Sequence, residues 1–288
     1  MKKILENLIP LFIGFGVAFL LYNGTGWWGF WLIFLWIGGW LSVGIFVSDA
    51  RKEKKKELGR KISILMIALV LLVFVGFIEH ENLQLEETVF YIAAGIYSRV
   101  IIHYAIAKVF GPLIWGRGFC GWACWTAAIL DWLPIKENRA IPKKYTYLRF
   151  PFLFISILVP YLFITTGYDY MHTHIDESLG MGDQFVWFLV GNGIYFFLGI
   201  PLAFIFQKRR AFCKILCPVS LVMKIPTKVS MLKMKPTGKE CIDCELCNKN
   251  CPMDVDPMSY IKAQRKVSST ECVLCSTCNY VCPVGAIE

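Results

Sequence analysis

The chain has 288 residues, of which 56% are hydrophobic and 18% are charged, and its mean hydropathy is +0.54. This composition is typical of a membrane protein and excludes an ordinary soluble domain or a disordered chain. The net charge of +9 would suit a nucleic-acid-binding protein, but the basic residues are confined to particular loops, so we expect no nucleic acid among the partners.

Six apolar segments are predicted to cross a membrane, because a helical span needs about twenty apolar residues. No small-residue cleavage pattern follows Met1-Lys2-Lys3, so the first segment is predicted to be a retained span. The predicted fold is therefore an all-α membrane bundle of about six transmembrane helices. Its spans run over Leu8–Tyr22, Trp27–Val47, Ile62–Ile78, Val89 to about Ile114, Phe150–Thr166 and Phe185–Phe206.

The distribution of Lys and Arg predicts the orientation of these spans. Seven lie in the loop 49–61, six between Gly111 and Arg149, two at the N-terminus and thirteen after Gln207. Three other loops contain none: 23–26, 79–87 and 168–184. Because basic loops stay in the cytoplasm, we expect a multi-pass protein of the cell (inner) membrane, in contact with lipid, with both termini cytoplasmic.

Charged residues inside the fourth predicted span form a first candidate site. Arg99 and His103 are four residues apart and would share a helix face, so they are candidates for a proton or quinone site. The alternative is that both make ordinary interhelical bonds. Lys108 would in that case extend toward the cytoplasm.

A second candidate lies in the loop 168–184, which holds His172 and His174. The nearby acids are Asp169, Asp176 and Glu177. This group could bind a metal, face a quinol headgroup or dock a basic partner, and the simpler interpretation is a solvated acidic loop.

The C-terminal part carries the clearest motif. It reads Cys-x2-Cys-x2-Cys-x3-Cys-Pro twice, from Cys241 to Pro252 and from Cys272 to Pro283. This is the spacing of a bacterial-type ferredoxin with two [4Fe–4S] clusters, in which the fourth cysteine of each run binds the other cluster. The predicted ligand sets are Cys241, Cys244, Cys247 and Cys282 for one cluster, and Cys272, Cys275, Cys278 and Cys251 for the other.

Zinc is the alternative for these cysteines, since paired Cys-x2-Cys motifs also form zinc sites. A zinc site would leave the middle cysteine of each triplet without a role, so iron–sulfur clusters are favoured. Clusters need reduced thiolates, which again predicts a cytoplasmic location. We expect a small α+β ferredoxin domain at residues 240–288, joined by a basic tether at 224–239 to a membrane domain at 1–223.

The remaining four cysteines form an internal repeat. The pattern Arg-x-Phe-Cys-x3-Cys occurs at Arg117–Cys124 and, ninety-three residues later, at Arg210–Cys217. Cysteines at i and i+4 would share a helix face, and a nearby helix N-terminus would favour the thiolate. The two pairs could act as redox dithiols or could supply Cys120, Cys124, Cys213 and Cys217 to one further iron–sulfur or other metal centre.

This combination of spans, two Cys-x3-Cys motifs and a double ferredoxin motif resembles the NapH/NosR/CcoG-type polytopic membrane ferredoxins. Cys120-Gly-Trp-Ala-Cys124 and Cys213–Pro218 match their motifs, although Trp125 stands where proline is usual. The resemblance implies a membrane-bound electron relay, a quinol dehydrogenase-type redox component that works within a multi-subunit complex.

The expected function is electron transport between a cytoplasmic-side carrier and either a membrane quinone or a redox protein on the far face. Redox partners are thus expected on one or both sides of the membrane. A different possibility is an assembly factor that reduces a metal or cofactor for an oxidase or reductase. The sequence does not give the direction of electron flow, because cluster potentials depend strongly on their surroundings.

Overall fold

A computed structural model describes residues 2–50, 56–168 and 183–288. The chain is largely helical. The α-helices in chain order are α1 (Lys2–Asn7), α2 (Ile9–Thr25), α3 (Gly29–Ala50), α4 (Lys56–Leu69), α5 (Leu85–Ala93), α6 (Arg99–Tyr104), α7 (Gly111–Trp115), α8 (Gly118–Trp122), α9 (Trp125–Asp131), α10 (Arg149–Thr165), α11 (Asp183–Ile205), α12 (Ala211–Ile215), α13 (Val219–Thr227), α14 (Leu246–Lys249), α15 (Pro257–Lys262) and α16 (Thr277–Val281). Two π-helical segments, Val70–Ile78 and Ala105–Phe110, continue α4 and α6, and a 3-10 turn, Lys143–Leu148, precedes α10.

Five helical stretches are long and apolar enough to cross a membrane, which confirms a multi-pass bundle. They are Leu5–Thr25, Gly29–Ala50, Glu57–Ile78, Lys143–Thr165 and Gln184–Ile205. Each corresponds to one of the predicted spans, with ends that differ by a few residues. Each span carries exposed large apolar side chains, for example Phe12, Phe46 and Phe154, as expected for helices surrounded by lipid.

The fourth predicted span, Val89 to Ile114, is not one continuous helix. Helix α5 ends at Ala93, Gly95 adopts a left-handed backbone conformation with φ +69°, and α6 begins only at Arg99. Ser98 caps the new helix by accepting a hydrogen bond from the backbone N–H of Val100. The apolar helix that follows, Val100–Trp115, is shorter than the five spans.

The first three spans pack closely through small residues. A Cβ atom at Gly59 of α4 would collide with the carbonyl oxygen of Gly44 of α3, and a Cβ at Gly44 would come within 2.6 Å of Ser63. Small residues let two membrane helices approach to backbone contact. This packing holds α4 in place, and Arg60 near its start reaches the cysteine motifs described below.

The C-terminal segment, residues 240–288 (the ferredoxin segment), contains the short helices α14, α15 and α16. The α+β part of the fold prediction is not confirmed, because the only pairing between extended residues in the described part of the chain is an isolated bridge from Pro236 to Ile287. Two cysteine-rich loops occupy most of so short a segment and leave little chain for strands.

The basic tether predicted at 224–239 is held against the rest of the protein. Met231 and Leu232 donate backbone hydrogen bonds to the carbonyl groups of Leu113 and Ile114, at 3.0 and 2.8 Å. Further along, Lys235 exchanges two backbone hydrogen bonds with Glu288. The ferredoxin segment is therefore fixed at both of its ends.

Candidate metal centres

The two cysteine runs of the ferredoxin segment adopt the same backbone conformation. Residues at three equivalent positions have left-handed backbone angles between +51° and +63°. Left-handed angles are uncommon outside glycine and persist only where the surroundings require them. The equivalent pairs are Asp243 with Leu274, Glu245 with Ser276, and Asp254 with Gly285.

The fourth cysteine of each run also has an equivalent hydrogen bond. The backbone N–H of Val255 lies 3.3 Å from Sγ of Cys251, and that of Ala286 lies 3.2 Å from Sγ of Cys282. A sulfur that accepts an N–H hydrogen bond is better stabilised as a thiolate, the form that binds iron. The sequence repeat is thus a structural repeat down to individual hydrogen bonds.

One recess, which is partly open to solvent, brings together four of these cysteines. Cys251 from the first run lies there with Cys272, Cys275 and Cys278 from the second. This is the crossed set predicted for one cluster. Most other side chains around the recess are apolar, among them Met253 and Val273.

The other predicted set lies around α14 and α16, which pack against each other. Cys247 is in α14 and interacts electrostatically with Cys241 and Cys244. Cys282 directly follows α16. The packing of these two helices places the end of the second run beside the first.

None of the twelve cysteines forms a disulfide. Within residues 2–50, 56–168 and 183–288, no three His, Cys, Asp or Glu side chains are arranged around a single metal ion. A zinc ion would need four ligands that converge on one point, whereas in an iron–sulfur cluster the cysteines bind different iron atoms. The ferredoxin segment supplies two sets of four cysteines with the spacing expected for clusters.

The inner cysteine pairs, Cys120 with Cys124 and Cys213 with Cys217, also repeat in three dimensions. Each first cysteine lies in a five-residue helix, α8 or α12, that follows the motif arginine. The amide N–H groups of Cys124 and of the residue before it both donate to Phe119 O, at 3.0 and 2.9 Å, and Cys217 and its preceding residue donate to Phe212 O at the same distances.

This geometry corrects the expectation that each pair occupies one face of a single helix. Helices α8 and α12 end before the second cysteine, and the next helix begins just after it. A tight turn therefore separates the two thiols of a pair. Helices α8 and α12, with five residues each, are also too short to provide the N-terminal charge that was expected to favour the thiolate.

The two inner pairs lie near each other. The thiol of Cys217 interacts electrostatically with Cys120 and Cys124, and that of Cys213 with all three others. Burial, together with Cys120 and Cys124, raises the pKa of Cys217 to about 12. Four thiolates so close together, two of them buried and two half-buried, would need compensating positive charge, which the iron atoms of a cluster supply, so these residues fit a further iron–sulfur centre. Sγ of Cys120 also contacts Sδ of Met223, at 3.5 Å.

The second cysteine run touches the first inner pair directly. A Cβ at Gly121 would collide with the carbonyl oxygen of Val273, and Nε1 of Trp122 donates to the carbonyl oxygen of Leu274 at 2.9 Å. Gly121 and Trp122 lie between Cys120 and Cys124, while Val273 and Leu274 lie between Cys272 and Cys275. Only glycine permits so close an approach of the two backbones.

Glu271 holds this contact in place. Its carboxylate pairs with Arg117 and Arg149, both at 2.8 Å, and with Lys224 at 2.5 Å. Burial alone would raise the pKa of the Glu271 carboxyl, but Arg117 and Arg149 outweigh burial and hold the pKa below its usual range. Sequence reasoning missed this residue, although an acid directly before Cys272 was visible.

The second motif arginine binds a buried acid within the membrane-side domain. Asp131 pairs with Arg210 at 2.6 Å and with Arg60 at 2.7 Å. Both arginines also donate to the first inner pair, Arg210 to the carbonyl oxygen of Cys120 and Arg60 to that of Gly121. No sequence signal identified Asp131 or Arg60, because both belong to segments with no motif of their own.

A third acid, Asp254, joins the first cysteine run to the same domain. Oδ1 of Asp254 lies 2.6 Å from Nζ of Lys208, and Oδ2 pairs with Lys214. Oδ2 also accepts the backbone N–H of Ile141 at 3.1 Å. Each cysteine run thus places one carboxylate in a basic site next to the inner pairs.

The candidates in the broken fourth span have different outcomes. His103 packs its ring beside Phe34, with centroids 5.9 Å apart, and the side chain of Arg99 lies outside the described part of the chain. The expectation that Lys108 extends toward the cytoplasm is wrong. Lys108 is 3% exposed, and its amine binds the carbonyl oxygen of Leu83 at 2.5 Å. Of the second candidate site, His172, His174, Asp169, Asp176 and Glu177 all lie outside the described residues.

Comparison of the sequence with known proteins also points to iron–sulfur binding. A family described as "4Fe-4S binding domain" matches residues 102–141 and 189–236. These two ranges contain the inner cysteine pairs, and the cysteine runs at 241–283 lie beyond them. The match supports iron–sulfur binding by this chain.

Three relatives show weaker similarity. YccM of Escherichia coli (strain K12), a provisionally assigned electron transport protein, is 25% identical over 51% of this chain and 44% of its own length. Two uncharacterized proteins of Methanocaldococcus jannaschii, MJ0750 and MJ0749, are 25% and 28% identical over 57% of this chain and over 70% and 60% of their own lengths. The chain thus spans less than half of YccM. No solved structure matches.

Five apolar spans together with two sets of cysteine motifs define a multi-pass membrane protein that carries iron–sulfur clusters. The matches to a 4Fe-4S binding domain and to a provisionally assigned electron transport protein support a membrane-type 4Fe–4S ferredoxin protein.

Proposed function

We propose that this chain relays single electrons between a cytoplasmic-side carrier and either a membrane quinone or a redox partner on the far face of the membrane. The chain is an iron–sulfur electron transport protein, and bound clusters supply one-electron chemistry without net transfer of atoms. The observation that carries the proposal is the backbone contact of Gly121 with Val273, which joins two cysteine motifs.

The proposed ligand sets are three. Cys251, Cys272, Cys275 and Cys278 hold one [4Fe–4S] cluster in the recess described above, and Cys241, Cys244, Cys247 and Cys282 hold a second. Cys120, Cys124, Cys213 and Cys217 hold a third centre, hereafter the four-cysteine centre. The electrostatic proximity of these four thiols supports the third set.

The surrounding residues keep these sites close together and shielded from water. Arg117 and Arg149 bind Glu271 and thereby fix the second cysteine run against the inner pairs. The ligand set that contains Cys272 is therefore the proximal set, because it lies next to the four-cysteine centre. The set that contains Cys241 is distal, and Ile242 within that run is 57% exposed. A soluble partner would exchange electrons at the distal set.

The proposed orientation has both termini and all twelve cysteines on the cytoplasmic side. The concentration of Lys and Arg on that side supports it. In the structure, Arg60 at the start of the third span contacts Gly121, so this end of the span lies at the cysteine motifs. The orientation is tested by the accessibility of single cysteines, introduced at the helix ends 23–26 and 49–50, to an impermeant thiol reagent in intact cells. Labelling from outside at 49–50 would overturn it.

Iron and acid-labile sulfide per chain, measured together with EPR spectra, test the ligand sets. About twelve iron atoms per chain are expected for three cubes, because each [4Fe–4S] cube contributes four. About eight iron atoms would mean that the chain holds only the two clusters of the ferredoxin segment. Cys120→Ser and Cys213→Ser should each remove the third signal and leave the signals of the other two clusters.

Reduction by quinol in liposomes tests the relay to the membrane. If quinol reduces the clusters in the wild type and not in Cys213→Ser, the relay and the role of the four-cysteine centre are both supported. If quinol never reduces them, and loss of the gene leaves an oxidase or reductase without its metal, the protein is an assembly factor instead.

A further inference from the structure

A buried polar cluster lies next to the inner cysteine pairs. One side of the cluster is formed by the segment after the third span, in which residues 81–85 are each at most 8% exposed. This irregular segment folds into the protein far enough for Leu83 to accept the amine of Lys108. In a membrane protein, irregular buried backbone is tolerated where it lines a polar cavity or pathway, and buried ionisable groups mark such pathways.

Several polar atoms in this region have no hydrogen-bond partner among the described residues. They are Nδ2 of Asn82, both side-chain polar atoms of Gln84, Oε2 of Glu86 and the hydroxyl of Tyr104. Buried polar groups normally find partners, and unpartnered ones indicate an ordered water or an ion. Their concentration in one place distinguishes this cluster from isolated packing defects.

Glu86 is the acid at the centre of the cluster. Its Oε1 accepts the hydroxyl of Ser156 at 2.7 Å and that of Tyr195 at 3.3 Å. Oε2 is buried and without a partner. A proton can therefore be added at Oε2 without displacing either hydrogen bond.

The groups that face Glu86 come from three neighbouring elements. Helix α10 contributes Ser156, α11 contributes Tyr195, and the chain from α6 into its π-helical continuation contributes Tyr104 and Lys108. The adjacent acid, Glu87, instead interacts with Tyr91 and Glu81.

Lys108, Tyr104 and Tyr195 link this acid to the inner pairs. Lys108 interacts electrostatically with Glu86, Cys124 and Cys217. Both tyrosines interact with Glu86 and with Cys217. Glu86 and the inner pairs therefore share these three neighbours, whereas the hydrogen bonds of Glu86 come from Ser156 and Tyr195 and not from a cysteine.

We propose that Glu86 binds a proton when the four-cysteine centre is reduced, so that this buried cluster couples electron transfer to proton uptake. The Glu86 carboxylate takes one proton from water and becomes a carboxylic acid for each electron that arrives. The electron comes from the proximal cluster, which is oxidised by one electron, and the proton is released when the electron leaves. Adding negative charge raises the proton affinity of a nearby acid, and the linkage is reciprocal.

Because this inference rests on the proposed four-cysteine centre, its test separates the two. The reduction potential of the third EPR signal is measured against pH in the full-length protein, across the neutral range. We expect the wild-type potential to fall by up to about 59 mV per pH unit, which is the change for one proton per electron. Glu86→Gln should remove this dependence, while the control Glu137→Gln, at an exposed acid, should retain it.

Infrared difference spectra provide an independent readout. Reduction of the wild type should produce the C=O absorption of a newly protonated carboxyl group, and Glu86→Gln should lack it. If Glu86→Gln does not fold, Ser156→Ala and Tyr195→Phe replace it. Each removes a donor to the carboxylate, so each should shift the pH dependence toward higher pH.

The outcomes are distinct. A third EPR signal whose potential is independent of pH, or whose pH dependence survives Glu86→Gln, overturns the proton site and leaves the proposed relay intact. Unshifted pH dependence in both Ser156→Ala and Tyr195→Phe also overturns it. Absence of a third signal in cluster-replete protein overturns the four-cysteine centre and the proton site together.

Discussion

Nη1 of Arg117 lies 2.8 Å from Oε2 of Glu271, and this ion pair joins the two cysteine systems of the protein. Arg117 opens the first Cys-x3-Cys motif, and Glu271 directly precedes Cys272. The arginine that opens the first motif therefore fixes the ferredoxin segment against the inner cysteine pairs.

Removing the charge of Glu271 should loosen this attachment. Glu271→Gln leaves the buried guanidinium groups of Arg117 and Arg149 without their carboxylate, and breaking a buried pair in this way costs about 3–5 kcal/mol. Hydrogen exchange of the backbone around residues 268–276 should become faster. Glu245→Gln is the control, because its pair with Lys249 is exposed and contributes at most about 1 kcal/mol. Equal exchange in the two variants would contradict the role of Glu271.

Gly121 should tolerate no side chain, since a Cβ there meets the carbonyl oxygen of Val273. Gly121→Ala should push the proximal cysteine run away from the inner pairs. The magnetic interaction between the proximal cluster and the four-cysteine centre, measured by EPR in the reduced protein, should weaken. Gly193→Ala is the matched control, because a Cβ at that helical glycine meets nothing within 4 Å. An unchanged interaction in Gly121→Ala would show that the contact does not set the separation.

The crossed ligand sets predict different losses for two equivalent cysteines. Cys251→Ser should remove the signal of the cluster held by Cys272, Cys275 and Cys278, because Cys251 lies in their recess. Cys282→Ser should remove the signal of the other cluster. Redox-poised EPR of each variant distinguishes the two signals. If each substitution instead affects the cluster of its own run, the ligand sets are not crossed.

Asp131 should stabilise the fold in a pH-dependent way. Burial alone would raise its pKa, but Arg210 and Arg60 outweigh burial and lower the pKa of the carboxyl. Its contribution is therefore fully present above the ordinary aspartate pKa of about 4 and is lost as pH falls through the lower folded-state pKa. Asp131→Asn should cost about 3–5 kcal/mol near neutral pH.

Thermal unfolding in detergent checks this expectation. The stability difference between the wild type and Asp131→Asn should be constant from neutral pH down to about pH 5, and it should shrink only below about pH 4. Asp243→Asn, at an exposed acid paired with Lys262, is the control and should change stability little. A difference that grows on acidification would contradict the assigned charge state.

Local patterns were sufficient for much of the fold. Five long apolar runs correspond to five spanning helices, because hydropathy over twenty residues is a strong signal. The repeat around Phe119 and Phe212 predicted two similar units, and the structure shows the same hydrogen bonds at both phenylalanines. The crossed arrangement of the cysteine runs remains a prediction, supported by the position of Cys251.

Other features depend on contacts between distant residues, which no local pattern contains. The direction of Lys108 is set by the carbonyl group of Leu83, which is twenty-five positions away in the sequence. The partners of Glu271 come from α10, α13 and the residue before α8, so no window of sequence contains them together. The break at Gly95 was missed because the apolar composition continues through it.

The contact at Gly121 has a consequence for how the two cysteine runs can change in evolution. They share spacing and backbone conformation, yet Val273 is 2% exposed against the membrane domain, whereas its equivalent, Ile242, is 57% exposed. Substitutions at Val273 and Leu274 should therefore co-vary with those at Gly121 and Trp122 among relatives. The residues around the exposed Ile242 are not held in this way, so under the proposed relay they should vary with the soluble partner. One half of an internally symmetric segment is thus constrained by its own chain, and the other half only by the partner that the proposed relay requires.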